Sequence, residues 1–148
     1  MFRGSSVHTL DPKGRIIIPT RFRHEVWASR SETLMFTRMD GGLFVYTLDQ
    51  WIIVENAVFS LKETSESMRR FRRVFIGGAE ECQMDRQGRI LIPAIMREYA
   101  GLEKDVALVG QNSHFEIWSL ERYQQEIDQF NKDLKNETFA NEIAQLGL

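Results

Sequence analysis

Apolar and polar residues alternate over short stretches in the first part of the chain, and this alternation predicts strands. Two stretches instead repeat every three or four residues, which predicts helices. One runs over residues 21–27 and follows Thr20, a residue type that caps helices. The other begins at Asp49, a second capping type, and faces inward through Trp51 and Val54. The predicted strands cover residues 2–10, 16–18, 33–38 and 43–47.

The same order of elements returns in the second half of the chain. Between the halves, residues 68–76 place apolar side chains on one helical face and arginines on the other, which predicts an amphipathic helix ending at Gly77. Further strands are predicted at residues 80–84, 89–92, 105–110 and 115–119, with a short helix at 94–100. The chain then divides into a first repeat with its helix at 1–61, a basic helical linker at 62–77, and a second repeat with a helical tail at 78–148.

The last part of the chain carries a stripe of apolar residues at alternating steps of three and four, which is typical of a heptad pattern. Its members are Leu120, Tyr123, Ile127, Phe130 and Leu134. Acidic residues occupy the outer face. Such a stripe packs either against its own domain or against a neighbouring subunit. We favour its own domain, because amphipathic surface helices are common.

One ten-residue stretch occurs twice. It reads LDPKGRIIIP at residues 10–19 and MDRQGRILIP at residues 84–93, an offset of 74. Asp, Gly, Arg, two Ile and Pro coincide. A later stretch, VYTLD at residues 45–49, matches IWSLE at residues 117–121 at an offset of 72. The similarity therefore covers a whole unit, which indicates duplication.

Each copy of the motif contains a turn with a physical rationale. The Asp11 carboxylate can accept hydrogen bonds from the N–H groups ahead of it, and Gly14 tolerates positive φ. A purely structural turn requires no more. The turns also carry bases, namely Lys13, Arg15, Arg86 and Arg89. A surface Asp–Arg pair contributes only ~0–1 kcal/mol, whereas Arg and Lys suit phosphate or guanine contact. Both interpretations stay open.

The distribution of charge supports nucleic-acid binding more than the net charge of −2 does. Residues 1–24 and 69–97 each carry a net charge of +4, and each block contains one copy of the motif. Residues 25–68 carry −4 and residues 98–148 carry −6. A local basic face attracts phosphates whatever the total charge is.

The sequence offers few candidates for catalytic or metal-binding residues. The three histidines are scattered, and neither a glycine-rich phosphate loop nor a nucleophile elbow is present. The single Cys82 cannot form an internal disulfide and suits a small core residue better than a nucleophile. No apolar run matches a signal peptide or spans a bilayer. We therefore expect a cytoplasmic protein that is not an enzyme and uses no cofactor, metal or small-molecule substrate.

The duplicated Asp-x-x-Gly-Arg turn, followed by an apolar triplet and Pro, resembles the AbrB/SpoVT-type swapped-hairpin DNA-binding domain. Two copies in one chain, with the opening MFRG and ECQMD at residues 81–85, resemble the MraZ family of bacterial transcriptional regulators. The resemblance implies an α+β fold. In it, hairpins of two AbrB-like repeats interleave about a pseudo-twofold axis as a β-barrel, with short helices and a C-terminal amphipathic helix.

The resemblance also implies partners. These are double-stranded DNA, bound at repeated G-rich boxes upstream of the division and cell-wall gene cluster, and further copies of the chain in a ring-like homo-oligomer of octamer size or larger. The protein would be nucleoid-associated and would not bind a membrane. Two alternatives stay open: an AbrB-like antitoxin whose acidic C-terminal helix binds a toxin, and a ring-forming scaffold without DNA binding.

Candidate DNA-binding residues follow by position. Arg15 and Arg89 match the motif arginine, and Arg23 and Arg97 match a base that related domains often carry after the proline. The full set is Arg3, His8, Lys13, Arg15, Arg23, Arg86, Arg89 and Arg97. The linker arginines, Arg69, Arg70, Arg72 and Arg73, invite a DNA-contacting interpretation. We favour a solvated or inter-subunit face for them, because charge runs usually lie on surfaces.

Overall fold

The computed structural model describes residues 1–62 and 65–148. The strands are β1 (Ser5–Thr9), β2 (Arg15–Ile17), β3 (Thr33–Met39), β4 (Gly42–Thr47), β5 (Glu80–Gln83), β6 (Arg89–Leu91), β7 (Asp105–Gly110) and β8 (Phe115–Ser119). The α-helices are α1 (Thr20–Ala28), α2 (Leu48–Phe59), α3 (Glu66–Phe71), α4 (Ala94–Ala100), α5 (Leu120–Asp133) and α6 (Glu137–Ala144). A π-helical turn, Arg72–Ile76, continues α3.

The two repeats exchange strands. A six-stranded antiparallel sheet runs in the order β1-β7-β8-β4-β3-β5, and a two-stranded sheet pairs β2 with β6. The strand β1 of the first repeat thus pairs with β7 of the second, and β5 of the second pairs with β3 of the first. The strands on either side of each motif turn lie in different sheets instead of pairing with each other. This arrangement confirms the α+β fold of duplicated swapped hairpins.

The strand register shows where the pseudo-twofold axis passes. In the β2–β6 ribbon, Ile16 lies opposite Ile90, its equivalent at an offset of 74. Between β4 and β8, Phe44 lies opposite Glu116, its equivalent at an offset of 72. Because the exchange maps equivalent residues onto each other, the axis passes through both pairs. The ribbon and the middle of the large sheet are therefore shared equally by the two repeats.

The main core lies between the ribbon and the large sheet, and it draws on both repeats. Ile16 and Ile90 of the ribbon are buried, as are Phe22 of α1 and Met96 of α4. Phe22 packs against Phe115 with ring centroids 5.1 Å apart. Burying a side chain of this size stabilises the fold by roughly 1.5–3 kcal/mol. Burial of Ile16 and Ile90 therefore determines which face of each ribbon strand points to the core, and the alternate residues point to solvent.

A second cluster covers the outer face of β3 and β4. It joins Met35 and Tyr46 of the sheet to Trp51 of α2 and Phe75 of the π-helical turn. Trp51 stacks on Phe75 with centroids 5.7 Å apart. The linker therefore packs against the first repeat.

Three local predictions were wrong in detail. Helix α1 starts at Thr20 itself, with Pro19 at the N-cap and no side-chain cap. Helix α2 starts directly after β4, so its cap is Thr47, whose Oγ1 accepts a hydrogen bond from the N–H of Gln50, and Asp49 lies in the first turn. The predicted helix at residues 68–76 changes to a π-helical turn at Arg72, where the N–H of Gly77 bonds to the carbonyl of Arg72.

The C-terminal stripe also departs from the prediction. No residue of α5 is buried, and Ile127 and Phe130 are 43% and 49% exposed. The preference for packing within the domain was wrong over this part, because α5 packs against β7 and β8 through its first residues and residues 124–133 are exposed. Phe130 meets Phe139 of α6 at a centroid distance of 6.5 Å. Within residues 1–62 and 65–148, no helix has the length and apolar character needed to cross a membrane.

Candidate nucleic-acid interface

The first motif turn, residues 11–15, is called turn 1. Asp11 Oδ1 accepts hydrogen bonds from the backbone N–H of Lys13 and of Arg15, both at 2.9 Å. Asp11 Oδ2 accepts the Nε–H of Arg15 at 2.6 Å. The Gly14 N–H closes the turn on the Asp11 carbonyl at 2.9 Å. The carboxylate thus forms the turn and orients the arginine at once.

The second motif turn, residues 85–89, is called turn 2 and repeats this scheme. Asp85 Oδ1 accepts the N–H of Gln87 and of Arg89, and Oδ2 accepts the Arg89 Nε–H, all at 2.9 Å. Each aspartate uses one of the five N–H donors of its arginine. The Nη donors remain available for a phosphate or a guanine edge.

Both turn aspartates are held in the charged form. The pKa of Asp11 lies below its ordinary value chiefly because the backbone N–H of Arg15 donates to the carboxylate, and the Arg15 side chain adds to the effect. The pKa of Asp85 is lowered in the same way, first by the backbone N–H of Arg89. At neutral pH both carboxylates are therefore ionised and keep their arginines oriented.

The outward face of the β2–β6 ribbon alternates basic and apolar side chains. Arg15 pairs with Leu91 and Ile17 pairs with Arg89 in the antiparallel register, while the residues between them point into the core. Ile17 is 55% exposed and Leu91 is 52% exposed. Neither apolar residue was among the predicted site residues, although alternation about the buried Ile16 and Ile90 places both on the outward face.

The tips of the two turns differ. Turn 1 carries Pro12 and Lys13, whereas turn 2 carries Arg86 and Gln87, and all four residues are exposed. The extra base therefore stands at the third position of turn 1 and at the second position of turn 2. The candidates Lys13, Arg15, Arg86 and Arg89 all belong to these two turns, which flank the pseudo-twofold axis.

The candidates Arg23 and Arg97 occupy a different place. Both are half-buried, and each lies against the glycine of the other repeat's turn. Arg97 of α4 covers Gly14 of turn 1, and Arg23 of α1 covers Gly88 of turn 2. Arg23 Nη2 also donates to Thr20 Oγ1 at 2.8 Å. The structure thus places each of these two arginines beside the other repeat's turn, in contact with its glycine.

The remaining candidates lie at and just before β1, and Arg21 links them. Arg21 Nε donates to the Arg3 carbonyl at 3.0 Å, and its Nη2 donates to Ser6 Oγ at 3.1 Å. Ser6 Oγ also lies 2.7 Å from His8 Nε2. Burial, and then the charge of Arg21, lower the pKa of His8, so its ring is neutral at pH 7. The side chain of Arg3 is exposed, and Arg21 was not among the predicted site residues.

The linker arginines make contacts within their own segment and with α2. Arg72 Nη2 donates to the carbonyl of Val58 at 3.0 Å, and its guanidinium lies over the Phe59 ring at 5.1 Å. Arg70 pairs with Glu66 at 3.4 Å. These contacts fit the surface interpretation of the cluster.

The described part of the chain offers little for metal binding or for catalysis by its cysteine. Residues 1–62 and 65–148 contain no group of three His, Cys, Asp or Glu side chains that could hold a metal ion. Cys82 is half-buried against the core, and burial raises the pKa of its thiol. A raised pKa disfavours the thiolate that a nucleophile needs.

The duplicated turns and the exchanged strands can be set beside known proteins. The family model of the MraZ protein, whose description likens it to antitoxins, matches residues 1–74 and again residues 75–145. The chain belongs to the MraZ family. A protein of Desulfosudis oleivorans named transcriptional regulator MraZ is 48% identical over 148 residues, covering all of both chains. One of Desulforapulum autotrophicum with the same name is 49% identical, again covering all of both chains.

A more partial match within the MraZ family comes from Desulfitobacterium hafniense. Its transcriptional regulator MraZ is 48% identical over 120 residues, which cover 80% of this chain and 81% of that protein. The two full-length relatives extend the similarity through the C-terminal helices as well as the two repeats.

Proposed function

We propose that this protein is a transcriptional regulator that binds double-stranded DNA with turn 1, turn 2 and the ribbon between them. The observation that carries the proposal is the placement of Arg15 and Arg89 on opposite strands of one ribbon, each oriented by its own aspartate. The names of the relatives support regulation of transcription.

The β2–β6 ribbon is of the kind that enters the major groove. A two-stranded antiparallel ribbon fits into this groove, and some DNA-binding proteins read bases with one. Arginine donors bind the guanine edge bidentately, and apolar side chains contact the thymine methyl group. Arg15 and Arg89 supply the first kind of contact and Ile17 and Leu91 the second, which supports sequence-specific binding to G-rich boxes.

One chain offers few bases to the phosphates, so we propose that the protein acts as a homo-oligomer. Affinity that depends on phosphate contacts grows with their number, and linked modules gain from one another. The exposed residues Ile127 and Phe130 of α5 offer an apolar surface for contacts between subunits. We propose a ring-like assembly, of octamer size or larger, that occupies repeated boxes. The protein would be cytoplasmic and associated with the nucleoid.

A salt titration tests DNA binding. A fragment of the chain's own upstream region should bind saturably at low salt, and affinity should fall steeply as salt rises. Arg15→Ala should weaken binding while the assembly stays intact. Arg30→Ala is the matched control, because Arg30 is an exposed base outside the turns. A protein that shows no saturable binding even at low salt would instead be a scaffold.

The exposed stripe of α5 also favours a second candidate function. In an antitoxin-like protein, this acidic and amphipathic helix would bind a partner toxin, in line with the family description. Truncation after residue 120 separates the possibilities. A smaller oligomer, measured by light scattering, would identify an interface between subunits. An unchanged number of subunits would leave the helix available for another protein.

A further inference from the structure

Each motif glycine is covered by an arginine of the other repeat. A Cβ placed on Gly14 would lie 2.5 Å from Cζ and 2.8 Å from Nε of Arg97. A Cβ on Gly88 would lie 2.5 Å from Nη1 and 2.7 Å from Cδ of Arg23. Real Cβ atoms do not come so close to other heavy atoms, so a side chain at either glycine would require the covering arginine to move.

The same glycines are bonded to the other repeat through the backbone. The Gly14 carbonyl accepts the Ile92 N–H at 3.0 Å, and the Gly88 carbonyl accepts the Ile18 N–H at 2.8 Å. Each turn is thus held on two sides by the repeat to which it does not belong. Ile92 lies between β6 and α4, and Arg97 lies in α4, so neighbouring residues of the second repeat make both contacts to turn 1.

The covering arginines are poorly placed to bind DNA with their full fork. The Nε atoms of Arg23 and Arg97 are buried and have no hydrogen-bond partner among residues 1–62 and 65–148. Leaving a buried donor unpaired is unfavourable, so packing on the glycine must offset that loss. Arg15 and Arg89 differ, because their Nε atoms are paired with aspartates.

We propose that Arg97 is a positioning residue for turn 1 and Arg23 is a positioning residue for turn 2. Each DNA-binding turn would then be set in place by the other repeat. The inference rests on the proposed function, since it assigns these arginines an indirect role in DNA binding. It also explains why the motif needs glycine at this position beyond its positive φ of +87° at Gly14 and +77° at Gly88.

Double-mutant cycles on DNA affinity test this crossed arrangement. Arg97→Ala should weaken binding about fivefold or more, and its effect should overlap with that of Lys13→Ala in turn 1. When Arg97→Ala is combined with Arg86→Ala in turn 2, the two fold-losses in affinity should multiply, because Arg97 does not contact that turn. Arg23→Ala should show the opposite pattern, overlapping with Arg86→Ala and multiplying with Lys13→Ala. If the fold-losses multiply in every combination, Arg97 and Arg23 act independently of the turns, and the proposal is wrong.

A conservative variant separates positioning from direct phosphate contact. Lysine keeps the charge but lacks the planar group that covers the glycine. Arg97→Lys should therefore bind DNA as weakly as Arg97→Ala. Recovery of affinity and of the salt dependence by lysine would show a direct phosphate contact and overturn the proposal.

Amide hydrogen exchange of the free protein provides a readout without DNA. In Arg97→Ala, the amides of residues 13–15 should exchange faster while those of residues 87–89 keep their rates. In Arg23→Ala, the amides of residues 87–89 should exchange faster while those of residues 13–15 keep their rates. Equal acceleration in both turns would indicate general destabilisation and contradict the proposal. If the crossed pattern appears but Arg15→Ala binds DNA normally, the positioning stands and the proposed function fails.

Discussion

Turn 1 and turn 2 share a hydrogen-bond scheme but differ in the two residues at the tip. Asp, Gly and Arg recur at the same places, and each aspartate makes the same three bonds. The two residues at the tips differ completely, with Pro12-Lys13 in one turn and Arg86-Gln87 in the other. The comparison shows which positions the geometry fixes. Three residues build the turn and orient its arginine, whereas the tips are free to carry a base at either position.

The largest effect should come from the motif glycines, which both turns share. Gly14→Ala or Gly88→Ala forces a side chain into positive φ and against an arginine. We expect each change to lower Tm by roughly 3–10 °C. Gly41→Ala is the control, because Gly41 lies in the turn between β3 and β4 and has a φ of +88°, while the nearest atom to its added Cβ is Arg122 Nη1 at 3.8 Å. Equal losses at residues 14 and 41 in thermal unfolding would show that strain alone, and not the covering arginine, explains the glycine.

The next largest effect concerns the paired arginines. Arg15→Ala and Arg89→Ala should each weaken DNA binding roughly tenfold or more, and by similar factors, because each side chain is oriented by the same Nε–H bond to its own aspartate. Tm should change little, since partly exposed ion pairs of this kind contribute little stability. Fluorescence anisotropy with a labelled promoter fragment measures the affinities. A large loss from only one of the two variants would show that the repeats bind DNA unequally.

The pH dependence of stability follows from the turn aspartates. Their pKa values are lower in the folded state, so their contribution is present above the ordinary pKa and is lost as pH falls through the folded pKa. Thermal unfolding from pH 6 down to pH 3 should therefore show a decline that is shallower in Asp11→Asn and in Asp85→Asn. Asp128→Asn, an exposed change on α5, should follow the parent protein. Parallel curves for all variants would contradict the assignment.

The smallest effect should come from the tips. Lys13→Ala and Arg86→Ala each remove one exposed base, and we expect about a two- to fivefold loss of affinity with a less steep salt dependence. The exchange Gln87→Lys places a base in turn 2 at the position that Lys13 holds in turn 1. It should strengthen binding by a similar factor. No change in affinity from any of these variants would place the tips away from the phosphates.

Local elements were predictable to the extent that local chemistry determines them. The Asp-x-x-Gly-Arg spacing predicted both turns, because the side chain bonds to residues two and four positions ahead. Residues 16–18 and 89–92 predicted strands close to those observed. The pairing of β2 with β6 did not follow from their pattern, since each has only three residues and neither sequence excludes the other partner. The family resemblance supplied that exchange.

Several features of the site depend on contacts between the repeats, which the sequence pattern does not show. Arg23 and Arg97 were identified as bases after a proline, but their approach to Gly88 and Gly14 depends on strand exchange. Ile17 and Leu91 were missed because an exposed apolar residue in a strand reads as part of the core. The exposure of Ile127 was missed because helical periodicity does not show where the sheet beneath a helix ends.

The central claim is that Arg15 and Arg89 of one chain meet the same DNA. The most direct test compares the affinity of the parent protein and of the double variant Arg15→Ala/Arg89→Ala for the promoter fragment and for the same fragment with the guanines of its boxes replaced. We predict that the double variant binds the promoter fragment much more weakly and no longer prefers it to the replaced fragment, because the guanine contacts are lost. Unchanged affinity and unchanged preference, in a variant that retains its oligomeric mass, would contradict the claim.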